Sequence, residues 1–549
     1  MRVQRRGFLK AGGAAGVGAL LTNRLSGESH AADSHIEILV EEPIATISPD
    51  IYGHFIEHIG GVIYDGVWVG RDSAIPNTQG IRTALIDKLK QIKAPMIRWP
   101  GGCFADSYDW TDGVGPNRPR RTNFWIDEFD KSRLNSKWVQ MYDTDAFGTD
   151  EFLHFCKLSG AEPYLAANVR SLPALQLDRW VEYCNSPAGS TTLSELRAKG
   201  GAVEPYNVKL WGIGNESWGC GGDFTPQDYA SEFRRYTAWV PQYGLPLQFI
   251  ASGPSGNDLA WTKAFFEKMY SMGDHKISGW SVHYYAWNLS RGKSTDWVDA
   301  KGDALQFDIA DWYELFQQGF QIEKIIEDQW AAIGEYDEHH EIKLVIDEYG
   351  PWYRKGTEVS PEAIISQQVT LRDALFTAFT LDIFNRHADK VSMAACAQLI
   401  NCLNSLFLAH EDKFVVTPNF YVFDMYSAHQ GGQSLRAEFS SPQVVYMRDG
   451  KAAGFWGLNG SASVKGKTLT LTVVNADASS PREAQIILRG ASVSDAKAKI
   501  LSGPDIHAHN TFEHSQIMGP SSSVVEYAGS SLHFTFPAAS VTGLTATLA

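Results

Sequence analysis

The sequence has no surplus of basic residues: 48 Lys and Arg stand against 63 Asp and Glu, a formal net charge of −15 at pH 7. Nucleic-acid recognition needs clustered cations against phosphate, so that partner class is excluded. Beyond the N-terminus no run approaches the ~20 apolar residues of a membrane-spanning helix, which excludes a helical membrane protein. Cysteine is scarce. The six residues (Cys103, Cys156, Cys184, Cys220, Cys396 and Cys402) show no paired C-x-x-C spacing, so no sequence-local zinc or redox motif is present. A glycine-rich phosphate loop is missing after the first strand-like run, which argues against a doubly wound nucleotide-binding sheet. Internal repeats are missing too, as are low-complexity tracts beyond the leader.

What is present belongs to a globular protein, with 44% hydrophobic and 20% charged residues. A chain of 549 residues exceeds one ordinary core and predicts a large domain with a smaller one. Aromatic residues reach 12%, with 17 Trp, enough either for a large aromatic core or for a cleft that stacks on sugar rings. Residues 1–32 read as a leader: Arg5-Arg6-Gly7-Phe8-Leu9-Lys10, an apolar Ala11–Leu21 stretch, then Ser29-His30-Ala31-Ala32. The arginine pair resembles a twin-arginine export signal, although Gln4 stands where Ser or Thr is usual. The expectation is export to the periplasm or beyond. Substrates of that route fold in a reducing compartment, so most thiols are expected to be free and buried, with a disulfide left open.

From Ile51 to Gln398 short apolar runs alternate with helical patterns. The expected strands are Ile51–Phe55, Ala94–Arg98, Pro163–Asn168, Val208–Gly214, Leu247–Ser252, Gly279–Tyr284, Lys343–Glu348 and Val391–Gln398. Helical periodicity marks Ile81–Ile92, Thr149–Leu158, Pro226–Trp239, Leu259–Met272, Gln321–Ile333 and Ser366–Asn385. Eight strands, most followed by a helix, predict an α/β chain closed as a (β/α)8 TIM barrel over residues 51–414. After about Val415 the period falls to two, as in Thr468-Leu-Thr-Leu-Thr-Val-Val and Ser531–Phe536. That predicts a C-terminal β-sandwich, jelly-roll-like, over 415–549. An alternating strand in 33–50 is free to pair with either domain.

In a parallel barrel, working groups sit where strands give way to loops at the carboxyl face. Two expected strands end in an acid: Val208-Lys-Leu-Trp-Gly-Ile-Gly-Asn-Glu216 and Lys343-Leu-Val-Ile-Asp-Glu348. An acid held at the rim by an apolar strand is fixed in place and partly desolvated, as acid–base work requires. Either one alone reads equally as a helix-capping residue; the pair, on strands four and seven, reads as catalytic.

Trp211-Gly-Ile-Gly-Asn-Glu216 resembles the signature of the clan of barrel glycosidases with acid/base on strand four and nucleophile on strand seven. More narrowly, Arg98-Trp-Pro-Gly-Gly-Cys-Phe-Ala-Asp106 followed by Trp110-Thr-Asp-Gly-Val-Gly-Pro116 resembles family 51 α-L-arabinofuranosidases. Tyr52-Gly-His-Phe-Ile-Glu-His58, Phe147-Gly-Thr-Asp-Glu-Phe152, Ser281-Val-His-Tyr-Tyr285 and Ala397-Gln-Leu-Ile-Asn401 match in the same order. The resemblance implies a retaining glycosidase of arabinofuranosyl saccharides without a cofactor. Glu216 would protonate the leaving oxygen, Glu348 would attack the anomeric carbon, and Glu216 would then act as base. Retention requires the two carboxyls about 5–5.5 Å apart; about 6.5–9.5 Å would contradict it.

The resemblance also implies a binding shell. Glu57, Asn215 and Gln398 match contacts to sugar hydroxyls, and Cys103 matches a position beside the ring. His283 and Tyr285 match a pair in which the Tyr steadies the nucleophile, and Trp352 matches an aromatic wall. Family members more often carry Trp directly after the nucleophile, where this chain has Tyr349-Gly-Pro351, so its outer subsites depart from the pattern. A homo-oligomer is left open, relatives being hexamers. The other readings are a same-fold glycosidase of different specificity and a carbohydrate-binding protein on a dead barrel.

His54-Phe-Ile-Glu57-His58 also fits an inverted zinc-peptidase pattern. That pattern binds metal on a helix, whereas Pro49 and Gly53 upstream and Gly60-Gly61 downstream predict a strand running into a loop. Glu338-His-His-Glu341 reads as a solvated turn. No metal is expected at either.

Overall fold

The computed structural model describes residues 32–128, 141–273, 275–356, 359 and 364–549. The leader reading of residues 1–32 therefore falls, all but Ala32, outside the described residues. No helix among them is long and apolar enough to cross a membrane.

Eight parallel strands close a barrel in sequence order: β1 (Gly53–Phe55), β2 (Met96–Trp99), β3 (Glu162–Ala167), β4 (Leu210–Ile213), β5 (Gln248–Ala251), β6 (Ile277–Ala286), β7 (Lys343–Pro351) and β8 (Val391–Cys396). The ring is completed where Ala395 and Cys396 of β8 pair with Gly53 and His54 of β1. Every strand expected from the apolar runs is present. Their interiors are buried on both faces, as parallel strands under a helical coat must be. β6 and β7 are much the longest. They run on together past the rim, with His283 opposite Glu348 and Tyr285 opposite Gly350.

The helix Leu371–Arg386 is buried along almost its whole length, Leu371 to Asn385. Thr370 and Asp373 cap its start reciprocally, which sets its first turn at Leu371 rather than at Ser366. Buried all round, it is a core helix between barrel and C-terminal sheet. Its polar residues bond across that junction: Asp382 accepts from Ser461, Thr472 and Tyr426, and Asn385 accepts from Tyr52 and donates to Ser461.

The C-terminal region is a ten-stranded sheet in which the N-terminal strand Ser34–Thr46 takes a central place. It runs antiparallel to Gln433–Ser440 and parallel to Arg482–Arg489. Ile36, Leu435, Leu471, Ile486, Ile500 and Leu532, drawn from strands across the whole sheet, belong to one buried cluster. The sheet thus folds over its own core, giving the packed layers that the period-two pattern calls for.

Candidate active site

The barrel's C-terminal rim opens into a cavity of about 650 Å³. All nine residues singled out above line it: Glu57, Cys103, Asn215, Glu216, His283, Tyr285, Glu348, Trp352 and Gln398. They come from the ends of β1, β2, β4, β6, β7 and β8 or the loops that follow, as the barrel architecture requires.

Glu348 is buried, 6% exposed, within the rim extension of β7. Arg98 Nη1 donates to its Oε1 at 2.9 Å, and Tyr285 Oη donates to its Oε2 at 2.7 Å. Burial disfavours a charge there. The cations of His283 and Arg98, with the two hydrogen bonds, outweigh that penalty and hold its pKa below the ordinary value.

Glu216 follows the apolar β4, and its side chain is about one-fifth exposed to the cavity. Its φ of 40° lies in the left-handed region that non-glycine residues rarely adopt. Such a backbone persists only where its surroundings enforce it. Asp106 is part of those surroundings: fully buried, it accepts from the backbone N–H of Val169, Arg170 and Asn215. This one carboxyl ties the loops after β2, β3 and β4 together. Burial raises its pKa to about 7 against those three donors.

His283 Nδ1 stands between the glutamates, 3.0 Å from Glu216 Oε1 and 3.6 Å from Glu348 Oε2. One oxygen of each carboxylate and this nitrogen lie within 4.8 Å of one another. Burial opposes a charge on His283, but both glutamates favour one and hold its pKa above the usual value. Glu57 lies beside Glu348 in the cavity lining. It accepts from Phe104 N–H, Trp125 Nε1 and Gln398 Nε2 at 3.0–3.2 Å. Burial and the neighbouring Glu348 raise its pKa to about 7 despite these donors.

Gly101 and Gly102 allow this crowding. A Cβ at Gly102 would stand 2.8 Å from Glu348 Oε1, and one at Gly101 would stand 2.8 Å from Glu57 Cγ. Trp352 forms the outer wall, edge-on to Tyr285 with ring centroids 5.0 Å apart and to Trp297 at 5.1 Å.

Cys103 is not a free thiol. It is disulfide-bonded to Cys220, and the sulfurs of Cys220 and Cys103 lie 3.5 and 4.0 Å from Glu216 Oε2. Cys156, Cys184, Cys396 and Cys402 are free and buried.

Sequence reasoning missed three parts of this site. Arg98 was visible as a cation inside an apolar strand, a position that demands a buried partner. Besides Glu348, it donates to Asn215 Oδ1 at 2.6 Å. Asp106 and the partnership of Cys103 with Cys220 left no local signal. The zinc-peptidase pattern dissolves: His54 lies in β1, and His58 is engaged at both ring nitrogens, by Asp143 at 2.6 Å and by Trp99 Nε1 at 3.1 Å.

Two glutamates with oxygens within 4.8 Å of each other, one just after the fourth strand and one on the seventh of a closed parallel barrel, are consistent with a barrel glycoside hydrolase of the retaining kind. Residues 88–302 match the model of the α-L-arabinofuranosidase 1 domain, and residues 347–540 match that of the α-L-arabinofuranosidase C-terminal domain. An intracellular exo-α-L-arabinofuranosidase of Bacteroides ovatus is 36% identical over 86% of this chain and 88% of its own length. An intracellular exo-α-(1→5)-L-arabinofuranosidase 1 of Bacillus subtilis is 29% identical over 90% of this chain and 95% of its own. The crystal structure of the family 51 arabinofuranosidase of Xanthomonas axonopodis pv. citri superposes with a TM-score of 0.85. That match has 32% identity and covers 94% of this chain and 100% of the other. The chain belongs to the glycoside hydrolase family 51 α-L-arabinofuranosidases.

The comparisons correct one expectation. Export by a twin-arginine signal, to the periplasm or beyond, is overturned by relatives that match nearly nine-tenths of the chain and are named intracellular. The export reading rested on an arginine pair and a Gly- and Ala-rich stretch, a composition that does not by itself make an export signal.

Proposed function

We propose that this enzyme releases terminal, non-reducing α-L-arabinofuranosyl residues from arabinose-containing oligo- or polysaccharides, with Glu348 as nucleophile and Glu216 as acid/base. The observation that carries the assignment is the asymmetry of a closely spaced pair. The glutamates approach within 4.8 Å, and only Glu348 is buried and held ionised by Arg98 and Tyr285. An ionised carboxylate with no solvent shell to shed is suited to attack on the anomeric carbon. In this reading Glu216, more exposed and facing the cavity, gives its proton to the departing glycosidic oxygen. The C1–O bond breaks as the Glu348–C1 ester forms. Water then attacks C1, its proton passes to Glu216, and Glu348 leaves as carboxylate.

Glu57, Asn215 and Gln398 are assigned to the sugar hydroxyls, and Trp352 to the wall against which the rest of the saccharide lies. Residues 51–414 carry the chemistry in this reading. Residues 415–549, with the strand in 33–50, buttress the barrel through Asp382 and Asn385. A homo-oligomer carries over from the resemblance and is tested by light scattering.

The reading is tested by hydrolysis of a panel of aryl glycosides by the wild type and Glu348→Ala. Turnover of the α-L-arabinofuranoside by wild type, lost in Glu348→Ala by a factor of about 10⁴ or more, is expected. Activity confined to another glycoside refutes the specificity, and normal turnover by Glu348→Ala refutes the mechanism.

A further inference from the structure

The disulfide Cys103–Cys220 joins the loop after β2 to the loop after β4, 117 residues apart in sequence. Other contacts also join those loops. Asp106 already binds the backbone of Asn215, and Arg98 already binds the Asn215 side chain. What the two sulfurs add is a contact with Glu216, whose Oε2 lies 3.5 Å from Cys220 Sγ and 4.0 Å from Cys103 Sγ. All three groups are partly exposed, and Cys103 and Glu216 line the cavity, so a small ion can reach them.

A disulfide sulfur is a poor ligand, whereas a thiolate is a strong one. In a reducing compartment such a pair is a dithiol. We propose that, once reduced, Cys103, Cys220 and Glu216 bind one thiophilic divalent cation of the zinc–cadmium class, and that the bound cation silences the enzyme. The donor set is two sulfurs and one carboxylate oxygen, all within 4.8 Å of one another. Small rotations of the side chains suffice to bring them to the about 2.0–2.3 Å of zinc coordination. Three ligands leave the fourth tetrahedral position open to the cavity. Sulfur selects soft cations over magnesium or calcium.

The steps balance. A small dithiol reductant gives two electrons and two protons to the disulfide and itself closes to a cyclic disulfide. The cation then displaces both thiol protons and takes the Glu216 carboxylate as third ligand. Glu216, so held, can neither donate nor accept a proton. The silencing, though not the binding, rests on the acid/base role proposed above.

The test uses the full chain, oxidised or reduced by a dithiol and freed of it without air, then titrated with cadmium. Uptake is read from the ultraviolet thiolate-to-cadmium charge-transfer band, and turnover is read in parallel. Reduced wild type is expected to take one equivalent with the band and to lose turnover about a hundredfold. EDTA should reverse both changes. The oxidised enzyme and reduced Cys220→Ser should show neither, and reduced Cys402→Ser, lacking the other free thiol at the cavity, should keep the band. Should Cys220→Ser fail to fold, Cys220→Ala replaces it, with the same expectation.

A reduced enzyme without the band, or the same band in either variant lacking the pair, overturns the site. A band with turnover intact overturns the silencing. The acid/base role is judged separately, by whether azide restores turnover to Glu216→Ala.

Discussion

Tyr285→Phe removes one oxygen, and that oxygen donates at 2.7 Å to Glu348 Oε2. The phenyl ring that remains still packs edge-on against Trp352, so the cavity wall survives. A hydrogen bond to a buried charge contributes about 1.5–3 kcal/mol. Each pKa unit corresponds to about 1.4 kcal/mol, so losing the bond raises the Glu348 pKa by roughly 1–2 units. Its folded pKa is held low, and the ionised, active form is therefore populated above that value and lost as pH falls through it. Weakening this stabilisation moves the loss to higher pH. The profile of kcat/KM against pH for an aryl α-L-arabinofuranoside reports groups of the free enzyme, and its acid limb should shift upward by about that amount. On the acid limb the variant should fall well below wild type, with a smaller deficit on the neutral plateau. An acid limb that does not move, with kcat/KM within about twofold throughout, refutes the claim that this phenol holds the nucleophile ionised.

Gly102→Ala should fold and lose kcat by about tenfold or more, because its Cβ would press on Glu348 Oε1 at 2.8 Å and displace that carboxylate. Unchanged kcat at unchanged melting temperature contradicts that. Asp382 is buried at the junction of barrel and sheet, and burial raises its pKa to about 7. The folded protein therefore holds a proton there that the unfolded chain releases near 3.8. That stability is complete below the lower value and is lost as pH rises through the upper one, roughly 4 kcal/mol in all. The melting temperature should fall from pH 5 to pH 8 in wild type and fall less steeply in Asp382→Asn; equal slopes count against the reading.

The barrel was legible because each strand is a short apolar run between helical patterns, a signal carried by neighbours in sequence. Val208–Gly214 and Lys343–Glu348 show this well: the run marks the strand, and the acid at its end marks the rim. The longer reach of β6 and β7 was not legible, since both continue as a pair beyond their apolar cores, Tyr285 beside Gly350. Pairing across sequence was hidden as well. Arg98 meets Glu348 across 250 residues, and Cys103 meets Cys220 across 117. No local pattern records such meetings. Glu57 was read as a sugar contact, but its raised pKa depends on burial beside Glu348, which only the folded chain creates.

In the proposed mechanism Glu348 attacks the sugar directly, with Glu216 close enough to serve both halves of the reaction. The stereochemistry of the first product tests it most directly. Proton NMR of an aryl α-L-arabinofuranoside hydrolysed by the enzyme, with methanol present as an acceptor that blocks anomeric drift, should show methyl α-L-arabinofuranoside accumulating from the start. Accumulation of the β anomer would mean that water or alcohol attacks without a glycosyl-enzyme, and would contradict the account.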